Sequence, residues 1–131
     1  MHTKHLLERN FFFFLLIAWT GIIFYLCLAE SSNLPKIAFP LKDKIVHFLF
    51  YFIFVFLFAV SLKERKIIFL RGILIFAILL GLLIEFMQEM CTKSRSFDWF
   101  DVLSNAFGAG LGFFVVNYFL FSKQKNKISL K

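Results

Sequence analysis

The stretch Arg95–Gly112, RSFDWFDVLSNAFGAGLG, decides how the rest of the chain is read. It opens on a cation, Arg95, and then sets Asp98, Asp101, Asn105, Gly108 and Gly112 at steps of three, four, three and four. On an α-helix those steps place all five residues on one stripe. The first part of the stripe is acidic and polar; the last part carries no side chains. Apolar residues continue from there to Phe121. A polar edge therefore runs into a segment otherwise suited to lipid. In a membrane protein such a stripe faces other helices, because lipid penalises it.

Outward from this stretch the chain shows four long apolar runs, Phe11–Ala29, Ile45–Leu62, Ile67–Met90 and Val102–Phe121. A helix needs about 20 such residues to cross a bilayer. Hydrophobic residues make up 60% of the 131 residues, and 22 are Phe, against about 45–50% apolar residues in an ordinary soluble domain. The expected fold is an all-α membrane protein: one domain over residues 1–131, a bundle of four transmembrane helices at about 11–29, 45–62, 67–90 and 102–121. The first run exceeds the 7–15 apolar residues of a signal peptide. Phe24-Tyr25-Leu26 before Cys27 also lacks the small residues of a lipoprotein cleavage site, so the run is read as a permanent helix.

The formal charge is +7, and its distribution sets a topology. With both termini cytoplasmic, the inner side holds ten Lys and Arg: Lys4, Arg9, Lys63, Arg65, Lys66, Arg71, Lys123, Lys125, Lys127 and Lys131. The outer side holds five: Lys36, Lys42, Lys44, Lys93 and Arg95. The positive-inside rule favours this orientation. Glu8 and Glu64 fall inside, whereas Glu30, Asp43, Glu85, Glu89, Asp98 and Asp101 lie toward the outside. The basic excess thus sets topology and touches anionic lipid. No nucleic-acid partner is expected, since the basic residues are scattered and no aromatic-lined groove accompanies them.

The polar residues within the apolar runs gather toward the outer face. Pro35 and Pro40 stiffen the first outer loop, residues 30–44. Asp43, His47 and Tyr51 follow at successive steps of four on the second helix. Asp43 is either a cap for that helix or a group that orients one ring nitrogen of His47. An isolated His47 would simply hydrogen-bond a carbonyl; an oriented one has its other nitrogen free for acid–base work, nucleophilic attack or a metal. On the third helix Ala77, Gly81, Glu85 and Gln88 share a side, and the small residues allow close helix approach. Glu85 lies 14 residues beyond Arg71, about 21 Å along the axis at 1.5 Å per residue. That is still inside an apolar layer about 30 Å thick. A carboxylate there costs about 2.5–3.5 kcal/mol when central and less near the edge, so it must be protonated, paired or wet. Its bland reading is a helix lock through His47 or Asn105. One of Asp98 and Asp101 serves the start of the fourth helix as a cap. Gly108 and Gly112 form a GxxxG step, read as helix packing. Cys27 and Cys91 are read as free thiols among apolar neighbours, although an oxidising compartment would allow a bridge. The first helix is assigned no chemistry, residues 1–10 are a polar lead, and the tail Lys123–Lys131 is a basic cytoplasmic end. There is no repeat, Gly-rich phosphate loop, Ser nucleophile elbow or paired-Cys motif.

Three motifs in order, D-K-x-x-H-x-x-x-Y at Asp43–Tyr51, E-x-x-Q at Glu85–Gln88 and R-x-x-D-x-x-D-x-x-x-N-x-x-G-x-x-x-G at Arg95–Gly112, resemble the VanZ-like family of small bacterial membrane proteins. The resemblance covers residues 43–112 by motif and the whole chain by layout. It implies a multi-pass protein of the bacterial cytoplasmic membrane, named from a glycopeptide-resistance setting. It also implies a polar site acting on head groups of phospholipids or polyprenyl-linked envelope precursors. That implication is carried to His47, Glu85, Gln88, Arg95, Asp98, Asp101 and Asn105.

On the residues themselves, Arg95 suits a phosphate through paired hydrogen bonds. His47 and Glu85 suit the roles of base, acid or nucleophile. Asp98 and Asp101 suit orienting His47 or holding a divalent metal, although no spacing demands a metal and no cofactor is expected. His47, Glu85, Asp98 and Asp101 are therefore the catalytic candidates. Arg95, Gln88, Asn105, Tyr51 and Asp43 are the substrate-binding candidates, and Gly81, Gly108 and Gly112 the packing residues. Three functions compete. The first is an enzyme hydrolysing or transferring a phosphate-linked lipid head group. The second is a non-catalytic protein that binds envelope precursors or glycopeptides and so contributes to resistance. The third is a polar stripe that only assembles the bundle. A transporter is disfavoured, because four helices without a duplicated half leave little room for alternating access unless copies self-associate.

Overall fold

The computed structural model describes residues 2–33, 41–62 and 66–128. Four α-helices account for nearly all of them: α1, His2–Leu28; α2, Lys42–Ser61; α3, Ile67–Cys91; and α4, Trp99–Ile128, with one 3-10 turn at Ser31–Asn33. No strand occurs among the described residues. Each helix contains a segment long and apolar enough to cross a membrane, namely Leu7–Leu28, Lys42–Ser61, Ile67–Cys91 and Trp99–Phe119. The fold is thus all-helical and of multi-pass membrane type. Pro35, Pro40 and residues 63–65 lie outside the described residues.

Two helices are longer than the apolar runs that signal them. α1 begins at His2, and α4 continues to Ile128. Neither the polar lead nor the residues after Phe121 contain Pro or Gly before Ile128, so nothing in the backbone stops a helix that the apolar segment has already nucleated. α2 begins at Lys42, after Leu41 in a left-handed conformation (φ 63°). Asp43 therefore lies inside the first turn, and no side chain caps this helix. Asp98, by contrast, is a true cap: its Oδ1 accepts the Phe100 N–H at 2.8 Å.

α2 and α4 form the most extensive helix pair, α1 packs on α2 and α3, and α3 also packs on α4. The small residues explain this closeness. A Cβ at Gly108 would overlap the carbonyl oxygen of Phe48, and one at Gly112 would stand 2.9 Å from that of Phe52. A Cβ at Gly81 would stand 3.0 Å from the Asn105 Cβ. All three sequence-assigned packing glycines therefore meet a neighbouring helix, whereas Gly21, Gly72 and Gly110 face open space. Trp19 adds a link from α1 to α2, its Nε1–H donating to the Phe50 carbonyl at 3.0 Å.

The burial pattern is that of a membrane bundle. Phe14, Tyr25, Phe76, Phe107, Phe114 and Tyr118 point outward, where lipid takes the place of a protein core. The interior holds Ile23, Tyr51, Val55, Ala77, Ile84 and Ala109. It also holds Glu85 at 0% exposure, Gln88 and Asn105 at 1% and His47 at 2%. Polar groups are thus more thoroughly buried than most of the phenylalanines, as expected where the surroundings are hydrocarbon.

Candidate functional site

The buried polar groups converge because the bundle is antiparallel. The last turn of α1, the first turns of α2, the last turns of α3 and the first turns of α4 all meet at one end. α2 supplies His47 and, one turn on, Tyr51. α3 supplies Glu85 and Gln88, both within two turns of its end at Cys91. α4 supplies Asp101 and Asn105, four residues apart on its inward stripe. The close approach at Gly81 brings Asn105 onto α3, and the approach at Gly108 brings the same turn of α4 onto α2. Asn105 is thereby wedged between the two helices that carry His47 and Glu85.

At the centre, His47 Nδ1 lies 3.0 Å from Asn105 Oδ1 and 3.3 Å from Glu85 Oε1. In the tautomer whose Nδ1–H donates to the Asn105 oxygen, Nε2 carries a lone pair and can accept a proton. Neither Glu85 oxygen makes a hydrogen bond within the described protein, nor do Tyr51 Oη and Asn105 Nδ2. The 3.3 Å contact to His47 is thus a close approach rather than a directed bond. Four unpartnered atoms on three neighbouring side chains are unusual, because buried polar atoms are ordinarily bonded. They cost stability unless a ligand, ion or water meets them. Tyr51 lies in electrostatic range of Glu85 and of the Cys27 thiol, so its hydroxyl belongs to the same cluster.

Two cations stand at the mouth. Lys44 Nζ hydrogen-bonds Asp98 Oδ2 at 2.5 Å and lies 2.9 Å from Asp101 Oδ1. The second contact is an ion pair whose direction falls short of a hydrogen bond, leaving Asp101 Oδ1 otherwise unpartnered. The Lys44 ammonium, helped by the Phe100 N–H, holds the Asp98 carboxyl below the usual carboxylate range. Arg95 reaches the end of α1, donating through Nη1 to the carbonyls of Cys27 at 3.3 Å and Leu26 at 3.4 Å. It thereby satisfies carbonyls that the helix end leaves orphaned while remaining in electrostatic range of His47 and Glu85. Gln88 Nε2 donates to the same Cys27 carbonyl at 2.9 Å. A peripheral brace fixes this rim. The Glu30 carboxylate accepts the Lys93 N–H at 2.9 Å and the Ser94 hydroxyl at 2.5 Å, and these bonds hold its own ionisation below the usual range.

The structure therefore brings together His47, Tyr51, Glu85, Gln88, Asp101 and Asn105, with Arg95 and Asp98 at the edge. Asp43 is exposed and in electrostatic range of His47, while His47 Nδ1 makes its hydrogen bond with Asn105. Asp98 and Asp101 divide the two roles the sequence left open, the first capping α4 and the second facing inward. Cys27 is buried and Cys91 exposed, both as free thiols.

Sequence reasoning missed Lys44 and the contribution of α1. Lys44, His47 and Tyr51 stand at steps of three and four, one helical stripe, but a Lys beside a loop reads first as a topology charge. The α1 contribution is a backbone carbonyl, for which no residue type is diagnostic. Comparison with family models, curated proteins and solved structures gives no match for this chain.

Proposed function

We propose that this chain is an enzyme of the bacterial cytoplasmic membrane, VanZ-like in kind, with both termini cytoplasmic. Its polar end faces outward and acts on a phosphate-linked lipid head group, either of a phospholipid or of a polyprenyl-linked envelope precursor. The observation that carries the reading is Glu85: wholly buried, without a hydrogen bond, and 3.3 Å from a histidine held by Asn105. A group kept at that cost is a functional candidate by default in a membrane segment. Polar contacts made only for assembly would be expected to satisfy one another.

In this reading His47 accepts a proton through Nε2 from the attacking hydroxyl or water, with Asn105 fixing the ring. Glu85 serves as the second proton carrier. Arg95 and Lys44 attract the phosphate, while Asp98 and Asp101 hold Lys44 in place. Tyr51 and Gln88, buried beside His47 and Glu85, are the further head-group contacts. Lipid itself is the partner, arriving from the surrounding bilayer at the depth where these residues gather.

The test is mass spectrometry of whole lipid extracts, polyprenyl carriers included, from cells making native protein or equal amounts of His47→Ala. The proposal expects one lipid class to change with native protein alone. Identical profiles would reject catalysis and leave the non-catalytic reading, which direct binding of envelope-precursor lipid or glycopeptide would then test.

A further inference from the structure

We propose that His47, Glu85 and Asp101 form a binding site for a single divalent transition-metal ion, Zn2+ or Mn2+. This goes beyond the lipid reaction and does not depend on it. One nitrogen of His47, one carboxylate oxygen of Glu85 and one of Asp101 lie within 4.8 Å of one another, and all three residues are buried. They come from three different helices, α2, α3 and α4, so the trio is a product of the fold and not of a local run of acids. The His47 Nδ1–Glu85 Oε1 separation of 3.3 Å already matches two ligands sharing one ion at roughly 2.0–2.2 Å each. The third ligand, an Asp101 oxygen, stands within 4.8 Å of both.

A second observation points independently to a ligand. Both oxygens of the fully buried Glu85, the hydroxyl of the fully buried Tyr51 and the amide nitrogen of Asn105 have no hydrogen-bond partner among the described residues. Unpaired buried carboxylate oxygens call for a cation. Of the two cations nearby, Lys44 pairs with Asp101 and Asp98, and Arg95, although in electrostatic range of Glu85, donates to the carbonyls of Leu26 and Cys27. Asn105 Oδ1, 3.0 Å from the same His47 nitrogen, stands ready as a further oxygen donor once the ion replaces the Nδ1 proton.

The donor set selects the class of ion. One imidazole and two carboxylates suit zinc or manganese. Magnesium and calcium favour all-oxygen shells, and no thiolate belongs to the trio to favour copper(I). On binding, the ion takes over the Asp101 charge, and Lys44 is left to Asp98 alone.

The experiment uses the full chain, without a polyhistidine tag, purified in detergent, stripped with chelator and equilibrated with ZnCl2 or MnCl2. Metal content after gel filtration is measured by elemental mass spectrometry, and thermal unfolding is followed with and without metal. The inference expects about one equivalent per chain and a melting temperature that rises with metal. His47→Ala, Glu85→Gln and Asp101→Asn each weaken binding at least about tenfold and abolish the thermal shift. Glu89→Gln, at an exposed position on the same helix, leaves both unchanged. No thermal shift and no retained metal in the native chain would overturn the inference. So would equal metal retention by all three variants, which would assign the ion to a different site on the chain. Neither result bears on whether lipid is turned over.

Discussion

Replacing Gly108 by Ala isolates the contact that positions the site. A Cβ there would overlap the Phe48 carbonyl oxygen, a backbone atom that no rotamer change can move. α4 must therefore retreat from α2 by on the order of 1 Å, and overpacking of that kind costs about 1–3 kcal/mol. Alanine returns up to about 1 kcal/mol of helix propensity, so the net loss expected is about 0–2 kcal/mol. Gly110, two residues away on the same helix, has nothing within 4 Å of its Cβ position. Gly110→Ala keeps the propensity gain without the clash. The propensity gain is common to both alanine variants, which should thus differ by the clash alone, about 1–3 kcal/mol, or roughly 3–15 °C in midpoint at about 3–5 °C per kcal/mol for a chain of this size. Thermal unfolding in detergent, followed by circular dichroism, reads the difference. The same retreat draws Asn105, one turn earlier, away from His47, so Gly108→Ala should also lose function. Equal melting of the two variants would refute the packing argument, because it would mean that α4 does not rest on the backbone of α2.

Lys44→Met leaves Asp101 buried beside no cation, and about 1–3 kcal/mol of stability should be lost; Lys44→Arg should recover most of it in the same melts. Asp98 and Glu30 both ionise below the usual range, so the stability they add is present above their unfolded values of about 3.9 and 4.3 and is lost as pH falls through their folded values. Asp98→Asn should flatten that acid-side decline, and a melting-temperature profile from pH 7 to pH 3 checks it. Tyr51→Phe removes a hydroxyl with no partner and should melt at or above the native temperature, by up to about 1 kcal/mol, while weakening lipid turnover. Cys91 is exposed and Cys27 is buried, so a membrane-impermeant maleimide added to intact cells should label one thiol, which Cys91→Ser abolishes; labelling only after lysis would reverse the proposed orientation.

The four helices were legible because hydrocarbon imposes a simple rule: about twenty apolar residues per crossing, with polar side chains turned inward. The stripes at Asp98–Gly112 and Ala77–Gln88 carried that rule directly, and the residues on them are those found buried together. Helix ends were less legible. The polar starts and tails of α1 and α4 are helical for want of a breaker, which an apolar scan does not detect. The sequence offered Asp43, either as a helix cap or as the group orienting His47, because both lie on one helix at a step of four. The true partner, Asn105, is 58 residues distant and is delivered by the glycine contacts at positions 81 and 108, which a single helix does not reveal.

The central claim is that Glu85 is kept for function at the expense of stability. Glu85→Met, close in volume and without polar atoms, tests it directly when thermal unfolding and lipid profile are measured on the same preparation. The account predicts a melting temperature no lower than native, since an unbonded buried carboxyl has been removed, together with loss of the lipid change that native protein produces. A variant that melts many degrees lower yet still alters the lipids would contradict it, and would make Glu85 a strut of the bundle.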